Sequence, residues 1–208
     1  MSLFIKICGI TSAKDASLAV SFGANALGFN MYEKSSRYVS QQEVKEILKE
    51  LSDEIIPVMV FVDPSYEYVE DCLKLSTKII PQFHGSETPE FCSSFNRNFI
   101  KAIPVYKEED INNGFKKYED SWMILLDSYT QEGFGGTGKQ FDWTYLRGKD
   151  YGKQYLVAGG LNPTNVAEVL SLTSCTGLDV SSGVESSPGK KDSMKIKEFI
   201  DVARNFHV

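Results

Sequence analysis

Short apolar runs recur along the chain, and most are followed by a turn and then by apolar residues at helical spacing. The runs are Leu3–Cys8, Ala24–Met31, Ile55–Val62, Lys78–His84, Phe99–Val105, Trp122–Asp127, Tyr155–Ala158 and Leu178–Val180. They read as strands. Ala13–Phe22, Gln41–Leu51, Asn165–Leu172 and Asp192–Phe206 read as helices. Ser40 with Glu43 three residues on is a capping-box pattern. Asn162-Pro163 reads as a cap followed by the first helical residue, and Lys107–Asp110 as a solvated helix start. Strands alternating with helices predict a parallel sheet. Eight strands are also the number that closes a (β/α)8 TIM barrel, and 208 residues is the lean end of that fold's range. The expected architecture is therefore α/β, a single barrel domain over residues 1–208. An open doubly wound sheet would carry G-x-G-x-x-G after its first strand. Here that strand ends Cys8-Gly9-Ile10-Thr11.

Composition narrows the function classes. The net charge is −6 and no Lys/Arg block stands out, so nucleic acid and anionic membranes are not expected partners. No run approaches the ~18 apolar residues of a membrane span. The N-terminus lacks the pattern of a secretory signal, and a cytoplasmic location is expected. Cys8, Cys72, Cys92 and Cys175 are scattered without a CxxC pair, and there are two histidines. Reduced thiols and no zinc site are expected.

A barrel of this kind builds its site at the C-terminal strand ends. Strand one ends at Cys8, strand four leads to His84, and strand six ends at Asp127. Arg37 lies in the loop after strand two. Strand alternation puts Phe4, Lys6 and Cys8 on one face, and Met123, Leu125 and Asp127 on another. If both faces point inward, Cys8 and Asp127 top the barrel. Lys6 then needs a partner, and Asp179 is the candidate. Gly159-Gly160 and Ser181-Ser182-Gly183 fit a phosphate cradle after strands seven and eight. Alone, Cys8 reads sooner as a small core residue and Arg37 sooner as a solvated loop residue, while His84 reads equally as a core histidine and the glycines as ordinary turns. Gly133–Lys139 nearly spells a nucleotide-binding P-loop, but Gln140 stands where a hydroxyl should hold magnesium. It reads instead as a flexible active-site loop.

Several segments together are similar to the phosphoribosylanthranilate isomerase family of tryptophan biosynthesis. They are Lys6-Ile-Cys8-Gly-Ile-Thr11, Ser35-Ser-Arg37-Tyr-Val39, Gln82-Phe-His84-Gly85, Leu125-Leu-Asp127-Ser128, Gly135-Gly-Thr-Gly138-Lys139, Ala158-Gly-Gly-Leu-Asn-Pro163 and Asp179-Val-Ser-Ser-Gly-Val-Glu185. They run in family order over essentially the whole chain. The resemblance implies an Amadori rearrangement with Asp127 as general acid and Cys8 as general base. It implies Arg37, His84 and Asp179 as substrate contacts, and Gly136, Gly159, Gly160, Ser182 and Gly183 as the phosphate site. The implied partner is a small phosphorylated substrate, with no metal or other cofactor, and the chain is expected as a monomer or homodimer. For the chemistry, Cys8 is expected to have a lowered thiol pKa from nearby positive charge. Four positions depart from the family's usual residues: Ser36 for Pro, Asp63 for Asn, Phe83 for Leu, and Pro81 for an apolar residue in strand four. A rival reading is the isomerase of histidine biosynthesis, which resembles a doubled half-barrel with an acid ending strand one. Cys8 stands there in this chain, and no half-repeat is visible. A non-catalytic phosphate-binding barrel is the rival from another class.

Overall fold

The computed structural model describes residues 3–128 and 140–206. Gly136, the Gly133–Lys139 segment and His207 lie outside the described residues. Eight parallel strands close into a barrel in sequence order: β1 (Phe4–Cys8), β2 (Ala26–Asn30), β3 (Ile56–Phe61), β4 (Ile80–Phe83), β5 (Ile100–Val105), β6 (Met123–Ser128), β7 (Tyr155–Val157) and β8 (Gly177–Val180). Around it lie α1 (Ala13–Ser21), α2 (Gln41–Glu50), α3 (Tyr66–Leu73), α4 (Pro89–Ser93), α5 (Glu108–Lys117), α6 (Val166–Leu172) and α7 (Ser193–Phe206). Before α7 comes a hairpin of β9 (Glu185–Ser187) and β10 (Lys190–Lys191).

The strand alternation sorts side chains into two cores. Ala26, Val58, Ile100, Ala102, Met123, Leu125, Leu156 and Ala158 fill the barrel interior. Ile5, Ile7, Phe29, Phe61, Phe83 and Leu178 belong to the larger layer shared with the helices. Strand residues thus carry apolar side chains on both faces, as a sheet covered by helices requires. The barrel closes through β1 and β8, where Lys6 sits directly beside Asp179.

Local signals set several boundaries. Ser40 Oγ accepts from the Glu43 backbone N–H at 3.2 Å, and Glu43 Oε2 accepts from the Ser40 N–H at 2.7 Å, so the expected capping box starts α2. Asp110 Oδ2 accepts from the Tyr106 and Lys107 backbone N–H groups at the start of α5. The expectation at Asn162 is corrected. Its Oδ1 accepts from the Thr164 N–H at 2.8 Å, closing an Asx turn. Asn165 Oδ1 accepts from the Asn162 N–H at 2.8 Å, so Pro163 sits in a turn and α6 begins at Val166. Pro81 is buried within β4, and the β4–β5 ladder is confined to Gln82 and Phe83. With no N–H at Pro81, the strand lacks a donor there. Asp63 has φ +44°, a left-handed conformation that Asp and Asn tolerate best among side-chain-bearing residues. Its Oδ1 accepts from the Ser86 N–H and hydroxyl, tying the β3 and β4 loops together.

Candidate active site

Cys8, Arg37, His84, Asp127, Asp179 and Ser182 line one cavity of about 470 Å³ at the C-terminal strand ends. Gly159 and Gly160 form part of the same wall. Gly183 does not line it. A Cβ there would sit 1.8 Å from the Leu161 carbonyl oxygen, so this glycine allows the β7 and β8 loops to touch. Gly159 and Gly160 have φ of +81° and +67°, which turns the chain sharply after β7. Gln140 Nε2 donates to the Gly160 carbonyl at 3.3 Å. Ser181 lines the cavity, and its hydroxyl is buried without a hydrogen-bond partner among the described residues.

Below Cys8 lies a buried charge pair. Lys6 Nζ donates to Asp179 Oδ1 at 2.9 Å, with the lysine fully buried. The expected partnership is therefore present. Burial alone would lower the Lys6 pKa, but Asp179 and then Cys8 more than offset it and hold the ammonium charged. Gly28 on β2 makes room for this cluster, since a Cβ there would come within 2.7 Å of the Cys8 sulfur and 3.0 Å of Lys6 Nζ.

The Cys8 thiol departs from expectation. Burial pushes it above its ordinary value, and the Asp179 carboxylate adds to the rise. Lys6 and Lys191 pull it down without cancelling the burial. The ammonium that should activate the thiol is shared with Asp179, which weakens its field at the sulfur.

Across the cavity, His84 Nε2 lies 3.1 Å from Asp127 Oδ2, and His84 Nδ1 lies 3.1 Å from Gln82 Nε2. Asp127 Oδ1 accepts from the Ser128 N–H at 2.8 Å. His84 is thus a cavity residue bound to Asp127. Lys101 on β5, fully buried, donates to the Phe83 and Gly85 carbonyls on either side of His84 and to Glu87.

Arg37 is held as well. Its Nε and Nη2 donate to the two oxygens of Glu185, each at 2.8 Å. Lys191 Nζ donates to the same carboxylate at 2.9 Å. Burial alone would raise the Glu185 pKa, but the two cations hold it below the usual carboxylate range. The bonds from Glu185 raise Arg37 in return. Glu185 and Lys191 had no assigned role in the sequence reading. Their signal is the cross-strand pairing of a Glu and a Lys across a Gly turn.

A family model for N-(5'phosphoribosyl)anthranilate (PRA) isomerase matches residues 5–202. This chain belongs to that family. It is 43% identical over 199 residues to the N-(5'-phosphoribosyl)anthranilate isomerase of Neisseria meningitidis serogroup C, covering 95% of each chain. The solved phosphoribosyl anthranilate isomerase of Thermotoga maritima superposes with a TM-score of 0.90 at 39% identity, over 98% of this chain and 99% of that one. Another solved phosphoribosyl anthranilate isomerase structure is in complex with reduced 1-(o-carboxyphenylamino)-1-deoxyribulose 5-phosphate. It superposes with a TM-score of 0.83 at 35% identity, over 98% of this chain and 99% of that one. The chain is an isomerase on a (β/α)8 barrel.

Proposed function

We propose that this isomerase converts N-(5-phosphoribosyl)anthranilate into 1-(2-carboxyphenylamino)-1-deoxyribulose 5-phosphate, with Asp127 as acid and Cys8 as base. The observation that carries the roles is the placement of the Cys8 and Asp127 side chains on one cavity, Cys8 ending β1 and Asp127 one residue before the end of β6. Asp127 delivers a proton to the furanose ring oxygen. The C1–O bond breaks and the nitrogen lone pair forms the C1=N iminium. Cys8 thiolate then takes the C2 proton, and the electron pair left behind neutralises the iminium as an enolamine. Tautomerisation gives the ketone. The opposed tasks require an acid and a base on different sides of the sugar.

The burial that raises the Cys8 thiol is tolerable because the iminium brings a positive charge next to it. The shift still marks the free enzyme. Activity needs the thiolate, and the thiol pKa lies above its ordinary value. Alkylation of the Cys8 thiol by an uncharged reagent, read as the difference between the wild type and Cys8→Ala, is therefore expected to climb about tenfold per pH unit from pH ~7 to ~8.5. An alkylation rate already flat from pH ~7 upward would show a thiol lowered rather than raised.

Phosphate binding falls to the Gly159-Gly160 and Ser181-Ser182 loops, where glycine lets backbone N–H groups approach the anion. Gly183 serves their packing, and the family motif adds Gly136 to the phosphate site. Arg37 presents the edge of its guanidinium that Glu185 leaves free to the anthranilate carboxylate. His84 and Asp179 complete the substrate surface. Arg37→Ala is expected to raise KM about tenfold or more while kcat stays within about threefold. A selective fall in kcat would instead assign Arg37 to the transition state.

Rescue of a tryptophan auxotroph that lacks this isomerase tests the reading. The wild-type gene should restore growth, and Cys8→Ala and Asp127→Ala should not. Growth with either variant produced at wild-type level would refute the assigned roles.

A further inference from the structure

Gln82 is fully buried on β4, inside the barrel, and its Oε1 has no hydrogen-bond partner among the described residues. A buried amide with an orphaned oxygen is costly, and an apolar side chain of the same volume would avoid that cost. Its nitrogen has one clear task. Nε2 lies 3.1 Å from His84 Nδ1, while His84 Nε2 lies 3.1 Å from Asp127 Oδ2. With the amide nitrogen turned to the ring, Gln82 donates to Nδ1, and that arrangement leaves the imidazole proton on Nε2 facing the carboxyl group.

We propose that Gln82 is a positioning residue for the isomerase reaction: its amide keeps His84 neutral and so leaves Asp127 able to carry the proton it delivers. The inference rests on Asp127 being the acid. An imidazolium at His84 would form an ion pair with Asp127 and hold it as the carboxylate, which cannot protonate the ring oxygen. A neutral imidazole donates one hydrogen bond, and a protonated carboxyl group retains acceptor sites for it. The charged groups at the neighbouring backbone, Lys101, Glu87 and Asp63, bond to that backbone and to one another. Lys101 Nζ on β5 is bound to the Phe83 and Gly85 carbonyls and to Glu87. That leaves Gln82 as the group facing Nδ1.

The test is nitrogen NMR on the full chain labelled with ¹⁵N-histidine. The chain has two histidines, His84 and His207, so His207→Asn assigns the remaining pair of signals to His84. Near neutral pH the wild type should show His84 with Nε2 protonated and Nδ1 bare. Gln82→Glu places an acceptor at Nδ1. Both nitrogens should then be protonated, with kcat lowered about tenfold or more and KM changed less than about threefold. Gln82→Met removes the donor without adding charge, and His84 should then lose its preference for the Nε2–H tautomer. A doubly protonated or Nδ1–H histidine in the wild type, which needs no variant to fold, overturns the proposal. So do folded Glu and Met variants that keep the wild-type nitrogen pattern at every pH. Full turnover in a Gln82→Glu chain whose His84 is doubly protonated overturns the proposal and leaves the isomerase reading standing. Absence of turnover in the wild type strikes at that reading first and takes the catalytic role of Gln82 with it.

Discussion

Asp127→Ala and Cys8→Ala are each expected to lower kcat about a hundredfold or more with the fold intact. In the proposed reaction the two groups perform successive proton transfers, so removing either leaves one step without its acid or base. The structural cost is small by comparison. Cys8 is a small side chain on the edge of an open cavity, where truncation leaves little closed void. Asp127 gives up its bonds to His84 and the Ser128 N–H at the cavity mouth. The measurement is turnover of each purified variant alongside its melting curve. Turnover near wild type in either variant removes that residue from the mechanism. A collapse of the melting curve in step with activity would make the residue structural instead.

Lys6→Met should destabilise the protein by about 3–5 kcal/mol, because it strands Asp179 as an unpaired carboxylate inside the barrel. The pair bridges the seam between β1 and β8, with both side chains almost entirely shielded. Exposed pairs such as Lys197–Asp201 and Lys49–Glu46 make similar contacts, yet each contributes only ~0.2–1 kcal/mol. The difference is the desolvation already spent on the buried charges. Replacing both partners, Lys6→Met with Asp179→Leu, should recover most of the lost stability. It should not recover turnover, since Asp179 and Lys6 shape the field around Cys8. Urea unfolding of the single and double variants reads this directly. A single-variant loss below ~1 kcal/mol would mean that water or movement relieves Asp179, and the buried-pair account would fail.

The fold was readable because helix-covered parallel strands leave a plain signature. Runs such as Met123–Leu126 are apolar on both faces, and polar residues appear where the strand leaves the core, at Cys8, His84 and Asp127. Period-two alternation then placed Lys6 inside, and burial of its charge pointed to Asp179. What escaped the reading is long-range pairing between loops. Arg37 and Glu185 are separated by 148 positions, and nothing local distinguishes a held guanidinium from a solvated one. Asn162-Pro163 carries the chemistry of a helix cap, yet Asn165 competes for the same backbone and makes it an Asx turn. The Cys8 thiol is expected from the sequence to be lowered by nearby positive charge, with Lys6 one source. The direction reversed because sequence reveals a charged neighbour more readily than the depth at which both are buried.

The most direct measurement uses the purified wild-type chain and substrate generated in situ from anthranilate and a phosphoribosyl donor. Loss of anthranilate-type fluorescence is followed over time. The chain should accelerate that loss far beyond the spontaneous decay and yield the aminoketose. Fluorescence that decays at the spontaneous rate, with enzyme present and folded, would contradict the account.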